Sequence, residues 1–414
     1  MKVEHFEAIL RARQEFPSVT APGAPVFFDN PGGTQVPHQV VEAISYYLTH
    51  NNANSHGAFE TSKRTDTLVE DARQAMADFL GADSPDEIVF GPNMTTLTFS
   101  ISRALGRILR PGDEIVVTTL DHDANVAPWL LLAEDKGLTI RTVDINPEDC
   151  TLSVDSLHGA INPRTRIIAV THASNAVGTI VDVQDITRIG HEVGALVFVD
   201  AVHYAAHGPI NVTAIGCDML ACSAYKFFGP HVGVLYIRRD LSEMLRPYKV
   251  RPAYDRPPYK WETGTPSYEL LAGITSAVDH IASLGSGNTR RERILSAMHT
   301  IQEYEAYIGK PLLEGLLSLP VKVYGIRDLS RWHERVATFA FRCESIHPRD
   351  MAQMMAEKGF NVWDGNYYAL SLMQRLGLEG SGGAVRVGLA HYNTREEVDR
   401  FLNTLEDIVV GSGV

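Results

Sequence analysis

Ser223-Ala224-Tyr225-Lys226-Phe227-Phe228-Gly229-Pro230-His231 is the stretch on which the reading of this chain turns. An apolar run, Met219-Leu220-Ala221-Cys222, leads into it, and two phenylalanines and a Gly-Pro pair follow its single lysine. Most lysines lie on solvated faces, but this one is embedded in residues that bury. Burying an ammonium is costly unless it is neutralised, paired or used covalently. A desolvated lysine has a lowered pKa and becomes a nucleophile able to form a Schiff base with an aldehyde.

Upstream, Ala195-Leu196-Val197-Phe198-Val199 is an apolar run of strand length that ends in Asp200. Open α/β sheets bind ligands at the carboxyl ends of their strands. Lys226 follows the next apolar run, so both side chains can open onto one crevice. A lysine that holds an aldehyde, facing an acid that keeps a pyridine nitrogen protonated, is what pyridoxal 5′-phosphate (PLP) requires. Asp200-Ala201-Val202-His203, followed by Ser-Ala-Tyr-Lys, resembles the class V aminotransferase superfamily, and within it the cysteine desulfurase and selenocysteine lyase branch. The resemblance implies PLP fold type I, an α/β fold with a mostly parallel seven-stranded large domain and a small α+β C-terminal domain. It also implies a homodimer with composite active sites.

The 414 residues suffice for a large core and more than one domain. With 44% hydrophobic and 21% charged residues, the composition is that of a soluble globular protein. The net charge of −13 argues against nucleic acid as a partner, and no apolar stretch reaches membrane-spanning length. Met1-Lys2-Val3-Glu4-His5-Phe6 has acids where a secretory signal is basic and then apolar, so no targeting segment is expected. Cys150, Cys217, Cys222 and Cys343 lack the spacing of a metal site or a disulfide framework. Reduced thiols in a cytoplasm, and no metal, are expected.

Phe6, Ile9, Leu10 and Arg13 have helical spacing within Val3 to Phe16, and a docking helix over residues 1–20 is predicted. Residues 21–288 form the predicted large domain. A helix with its apolar face over Asp66 to Leu80 is followed by strands and helices in alternation: Glu87 to Phe90, Thr95 to Leu109, Asp113 to Thr119, Ala124 to Lys136, Thr139 to Ile145, Arg166 to His172, and a helix near Asp185 to Val193 before the Asp200 strand. Val232 to Arg238 is one more strand. Such alternation predicts βαβ crossovers and a sheet covered on both faces. Thr289 to Leu317 is a long helix opening the small domain, 289–414, with strands at Ala337 to Phe341 and Ala384 to Leu389 and helices near Pro348 to Lys358 and Glu396 to Val409.

Gly91-Pro92-Asn93-Met94-Thr95-Thr96 joins a strand to a helix, and helix N-termini bind phosphate through free N–H groups and the macrodipole. Met94 and Thr95 are therefore candidate phosphate ligands, Ser223 can supply another hydroxyl, and Tyr225 stands where desulfurases carry a phosphate-binding histidine. Thr95 is equally an ordinary helix cap. Leu120-Asp121-His122-Asp123 is similar to the family segment whose second histidine stacks on the cofactor ring. Here that position is Asp123, which has no π face. Asp123 and His122 are expected near the ring, with Asp121 as a helix N-cap the alternative. The resemblance further implies that Asn175 and His203 bind the cofactor's 3′ oxygen, and that Gly264-Thr265 reach the neighbouring subunit's phosphate. Gly33 and His56 match loops bordering the substrate. Arg386 lies inside an apolar strand and needs an anion, and the family uses it for the amino acid's carboxylate.

Desulfurases carry a mobile cysteine shortly before that arginine strand. Val362-Trp363-Asp364-Gly365-Asn366-Tyr367-Tyr368 has none, and Tyr368 falls at or next to its place, leaving Asn366 and Tyr368 as pocket residues. The expected activity is PLP-dependent β-elimination or lyase chemistry on a small L-amino acid, without a protein persulfide. Transamination, racemisation or decarboxylative carbon–carbon bond formation are the alternatives, and a non-catalytic PLP-fold protein is the alternative from another class.

Overall fold

The computed structural model describes residues 6–411, and Val3 to His5 of the predicted first helix lie outside the described residues. Strand β1 (Val26–Phe27) comes first in the chain. Strands β2 (Ile88–Gly91), β3 (Glu114–Thr118), β4 (Thr139–Val143), β5 (Thr165–Thr171), β6 (Leu196–Asp200), β7 (Met219–Ser223) and β8 (Gly233–Ile237) build one seven-stranded sheet, ordered β2-β8-β7-β6-β5-β3-β4. The β7-β6, β6-β5, β5-β3 and β3-β4 pairs are parallel, as the alternation predicts. A parallel neighbour needs a crossover of about a dozen residues or more. The Ala224–Val232 connection is too short for one, so β8 runs antiparallel to both β7 and β2.

The centre of the sheet is apolar on both faces because helices cover both, and β3, β7 and β8 are buried at every position. Fully burying one Val, Leu or Ile contributes about 1.5–3 kcal/mol, which is why these runs were legible as strands. The helix predicted from Asp66 begins earlier, at Glu60, and ends at Leu80 on Gly81, whose φ of 70° suits a left-handed cap. Helices His38–His50, Val154–Ala160 and Tyr268–Ser283 were not predicted. The last buries Leu271, Ile274, Val278 and Ile281 at helical spacing and packs on Glu60–Leu80.

Helix Arg290–Ser318, capped by the reciprocal Thr289–Glu292 box, leads to the second sheet. Strands β9 (Lys322–Tyr324), β10 (Thr338–Arg342), β11 (Phe360–Asn361), β12 (Trp363–Gly365) and β13 (Ala384–Gly388) follow, with four of them in the antiparallel order β12-β13-β10-β9. β1 pairs in parallel with β11 in a separate two-stranded sheet, tying the early chain to the segment that leads into β12. The first helix covers Glu7–Ala12 and its segment packs the same way. The Phe6 ring meets Tyr304 at 5.1 Å, and Arg13 pairs with Glu397 at 2.6 Å. Among the described residues no helix is long and apolar enough to cross a membrane.

Candidate active site

Asp200 closes β6, Thr171 sits beside it at the end of β5, and Ser223 closes β7. A cavity of about 950 Å³ opens over these strand ends, with β12, β13 and the Asn366–Tyr368 loop of the second sheet forming its other wall. Lys226, Asp200, Asn175, His203 and Arg386 all line it. So do Met94, Thr95, Ser223, Tyr225, His122 and Asp123, together with Asn366 and Tyr368.

Lys226 follows β7 in a 3₁₀ turn, Ala224–Lys226. Its Nζ donates to the Pro31 carbonyl and lies 4.9 Å from the centre of the Tyr225 ring. Burial, and then the nearby Arg386, lowers its pKa to about 7, against the pull of Asp200. Asp200 is 4% exposed and accepts a hydrogen bond from the Val202 N–H at 2.9 Å. Burial raises its carboxyl to about 6, moderated by that bond and by Lys226. The amine is thus poised between its two forms near neutrality.

Arg386 is 4% exposed on β13, and its guanidinium lies 4.3 Å from the centre of the Tyr367 ring. Nη1 donates to the Asn175 carbonyl at 2.9 Å, while Nε has no partner. Burial lowers this arginine to about 10. A buried guanidinium with an unsatisfied nitrogen beside a cavity is fitted to a carboxylate. Asn175 donates from Nδ2 to the Tyr367 carbonyl at 2.9 Å and leaves Oδ1 buried without a partner. Helix Met94–Leu105 opens at the cavity with Asn93 as its cap, accepting from the Thr96 N–H at 2.8 Å. The Met94 N–H is already given to Ser223 Oγ at 3.1 Å, so Ser223 braces this turn as well as facing the cavity. β8 approaches the turn so closely that a Cβ on Gly233 would lie 2.3 Å from the Asn93 backbone carbon.

The Asp121 capping alternative is not what the chain does. His122 Nδ1 accepts from the Ala124 N–H at 3.0 Å and caps the short Asp123–Asn125 turn, which delays the predicted Ala124 helix to Ala127. Asp121 is buried, hydrogen-bonded to Thr118 Oγ1 and, at 2.7 Å, to Asn125 Nδ2. Burial pushes its carboxyl up to about 8. Gly33, His56, Gly264 and Thr265 do not line the cavity of this chain. Gly33 only flanks it, against the Tyr225 ring. His56 pairs instead with Asp66 at 3.3 Å, in a polar loop that looks like an active-site loop in sequence. Gly264 and Thr265 are exposed. Pro31, His347, Trp363 and Glu379 stand on the wall without having been expected there from the sequence, whereas Tyr367 joins it beside Asn366 and Tyr368.

The amine and the acid that share one cavity, the unsatisfied guanidinium and amide, and the helix N-terminus together fit a phosphorylated pyridine aldehyde and an amino acid. Over residues 26–401 the sequence matches the family described as Aminotransferase class-V. It is 32% identical over 416 residues to a probable cysteine desulfurase of Mycolicibacterium paratuberculosis, covering 96% of this chain and 58% of that protein. With the cysteine desulfurase of Pectobacterium atrosepticum it shares 30% over 419 residues, covering 97% of this chain and 98% of the other. The chain thus spans less than two thirds of the first relative and nearly all of the second. Among solved structures, the apo cysteine desulfurase of Thermococcus onnurineus NA1 matches with a TM-score of 0.88 at 30% identity, over 97% of this chain and 98% of that one.

Proposed function

This chain belongs to the aminotransferase class-V family, a PLP-dependent, cysteine desulfurase-like enzyme, and on that premise we propose that it breaks a bond in a small L-amino acid by β-elimination or related lyase chemistry, without storing sulfur on the protein. The bound cofactor supplies an electron sink for a carbanion at the α-carbon. Lys226 holds the cofactor aldehyde and afterwards moves the α-proton, a role suited to an amine near its midpoint at neutral pH. Asp200, on the floor of the cavity, would keep the pyridine nitrogen protonated. Arg386 receives the substrate carboxylate in its planar fork. Asn175 and His203 meet the ring oxygen, and the Met94–Thr95 helix end, Ser223 and Tyr225 take the phosphate. Gly264 and Thr265 of a second copy complete that phosphate site.

One observation carries the reaction type. The wall that faces the substrate ends in Asn366, Tyr367 and Tyr368, and none of the four cysteines lines the cavity. With L-cysteine, the β-carbon–sulfur bond would break with its electron pair leaving on sulfur, and hydrolysis by one water would give sulfide, pyruvate and ammonia. The test is product identification across a panel of L-amino acids. A 2-oxo acid released together with equal ammonia and the departing β-group supports the reading. Alanine released with sulfur bound to the protein rules it out.

A further inference from the structure

His203 does not stand alone behind the cavity. Its Nε2 lies 2.9 Å from Oγ1 of Thr338 on β10, which leaves Nδ1 for a group in the cavity. The His203 ring is edge-on to that of His207, with centroids 4.9 Å apart and planes at 65°. His207 Nδ1 in turn lies 2.8 and 3.0 Å from the two carboxylate oxygens of Glu305, on helix Arg290–Ser318. His207 is 4% exposed and Glu305 3%. Beyond them opens a second cavity of about 380 Å³, walled by His207 and Glu305 with Gln302, Lys310, His333 and Arg335. Three ionisable side chains therefore bridge the two cavities.

Packing alone does not call for this row. A buried ion pair seldom stabilises more than apolar residues of the same volume, and losing one partner strands a buried charge. His207 Nδ1 lies within hydrogen-bond distance of both Glu305 oxygens, which fixes the ring, while burial raises the Glu305 carboxyl above the ordinary glutamate value. Arg335, a cation on the far wall, is spent on the carbonyls of Ile326, Val177 and Thr338.

We propose that Glu305 and His207 are positioning residues for the cofactor site: Glu305 fixes the His207 ring through Nδ1, and His207 in turn orients His203 so that it donates to the cofactor ring oxygen it meets. Lys226 and Arg386 face His203 from the cavity side, and burial, reinforced by the charges beside it, holds His203 well below the ordinary histidine value. Glu303, Lys310, His333 and Arg335 are the other titratable groups on the far wall. The inference rests on the cofactor occupying the main cavity as proposed above.

The experiment is a pH titration of the bound cofactor's absorption in the holoenzyme. Glu305→Gln keeps the shape of the side chain but removes the carboxylate that holds His207 Nδ1, so that His203 loses its set orientation toward the ring oxygen. The midpoint should then move upward by about half a pH unit or more, with cofactor content unchanged. His207→Gln should shift it in the same direction, and the double variant should add nothing further. Should Glu305→Gln fail to fold, His207→Gln carries the test, and Glu305→Asp should restore a midpoint close to that of the native chain. Folded, cofactor-loaded variants whose midpoint is unmoved or falls overturn the proposal. A native chain whose cofactor is not attached to Lys226 would instead overturn the placement on which it rests.

Discussion

The imidazole of His122 stacks on the ring of Tyr368, with centroids 5.5 Å apart and planes at 23°. The same two segments are tied through the backbone, since the Asp123 N–H donates to the Tyr368 carbonyl at 2.7 Å. Because His122 Nδ1 accepts from the Ala124 N–H, the neutral ring carries its proton on Nε2. Burial, helped by Lys226 and Arg386, lowers His122 to about 4, so it is uncharged at neutral pH. Tyr368, expected at or next to the place of the family's thiol, is thus part of an aromatic cover. Tyr367 and Tyr368 both hold left-handed backbone, φ 55° and 58°, which these contacts must sustain.

Removing that cover should cost catalysis and spare the cofactor. An aromatic pair contributes about 0.5–1.5 kcal/mol beyond its burial, so Tyr368→Ala should lower kcat/KM by about two- to tenfold at unchanged cofactor content. Tyr368→Phe should stay near the native value. Steady-state kinetics of both variants decide it, and an equal loss in the two would assign the effect to the hydroxyl.

Capture of the cofactor should depend on pH through Lys226. Its pKa of about 7 means that the neutral, nucleophilic amine dominates above that value. The rate at which apoprotein takes up cofactor should rise about tenfold per pH unit below pH 7 and level off above it. The sign for stability follows. Between pH 7 and the ordinary lysine value the unfolded chain binds the proton and the folded chain does not, so apoprotein stability rises with pH across that window. Lys226→Met should flatten this rise. An uptake rate still climbing above about pH 9 would contradict the buried-amine account.

Arg386 should show opposite effects on binding and on stability. Hydrogen bonds to a charged group contribute about 1.5–3 kcal/mol, so Arg386→Lys, which loses the planar fork, should raise KM by about ten- to a hundredfold with the cofactor retained. In the apoprotein, Arg386→Met removes a buried cation whose Nε is unsatisfied and should raise Tm. A KM left unchanged by both substitutions would place the carboxylate elsewhere.

Thr265 is exposed and off the wall of its own cavity, so any role at a phosphate requires a second copy of the chain. The protein should sediment as a dimer, and Thr265→Ala should weaken cofactor retention several-fold. Mixing it with Lys226→Ala should regenerate a minority of intact sites. A monomer with full turnover would end the composite-site reading.

What the sequence disclosed was what burial makes unusual. A lysine after an apolar run, an acid ending a strand and an arginine inside one stand out because charge is expensive to bury, and all three reached one cavity. Residues that act through distant contacts left no local trace. The Pro31 carbonyl at Lys226 and the Glu305 carboxylate at His207 are brought in by tertiary packing across long separations in the chain. His56 lies off the wall of its own chain's cavity and pairs with Asp66, a setting that a histidine in a polar turn does not announce in sequence. Helix Tyr268–Ser283 went unpredicted because its apolar residues also suit a plain core segment, and its packing against Glu60–Leu80 settles it.

The last expectation concerns sulfur. A persulfide carrier must be exposed, mobile and largely thiolate at neutral pH. All four thiols here are buried. Burial raises Cys150 to about 11 and pushes Cys217 and Cys222 up as well, the latter further opposed by the charge of Asp200. Cys222 lies inside β7, fully packed, so it cannot swing toward a substrate. After turnover with L-cysteine, a persulfide-selective reagent should label none of them. Sulfide should appear in solution at the rate of pyruvate. Replacing each cysteine singly by serine should leave that rate within about twofold wherever the fold is kept, since surface or core changes without a chemical role act through stability alone. A labelled cysteine whose loss also abolishes turnover would mean that the protein carries sulfur by a route this cavity does not explain.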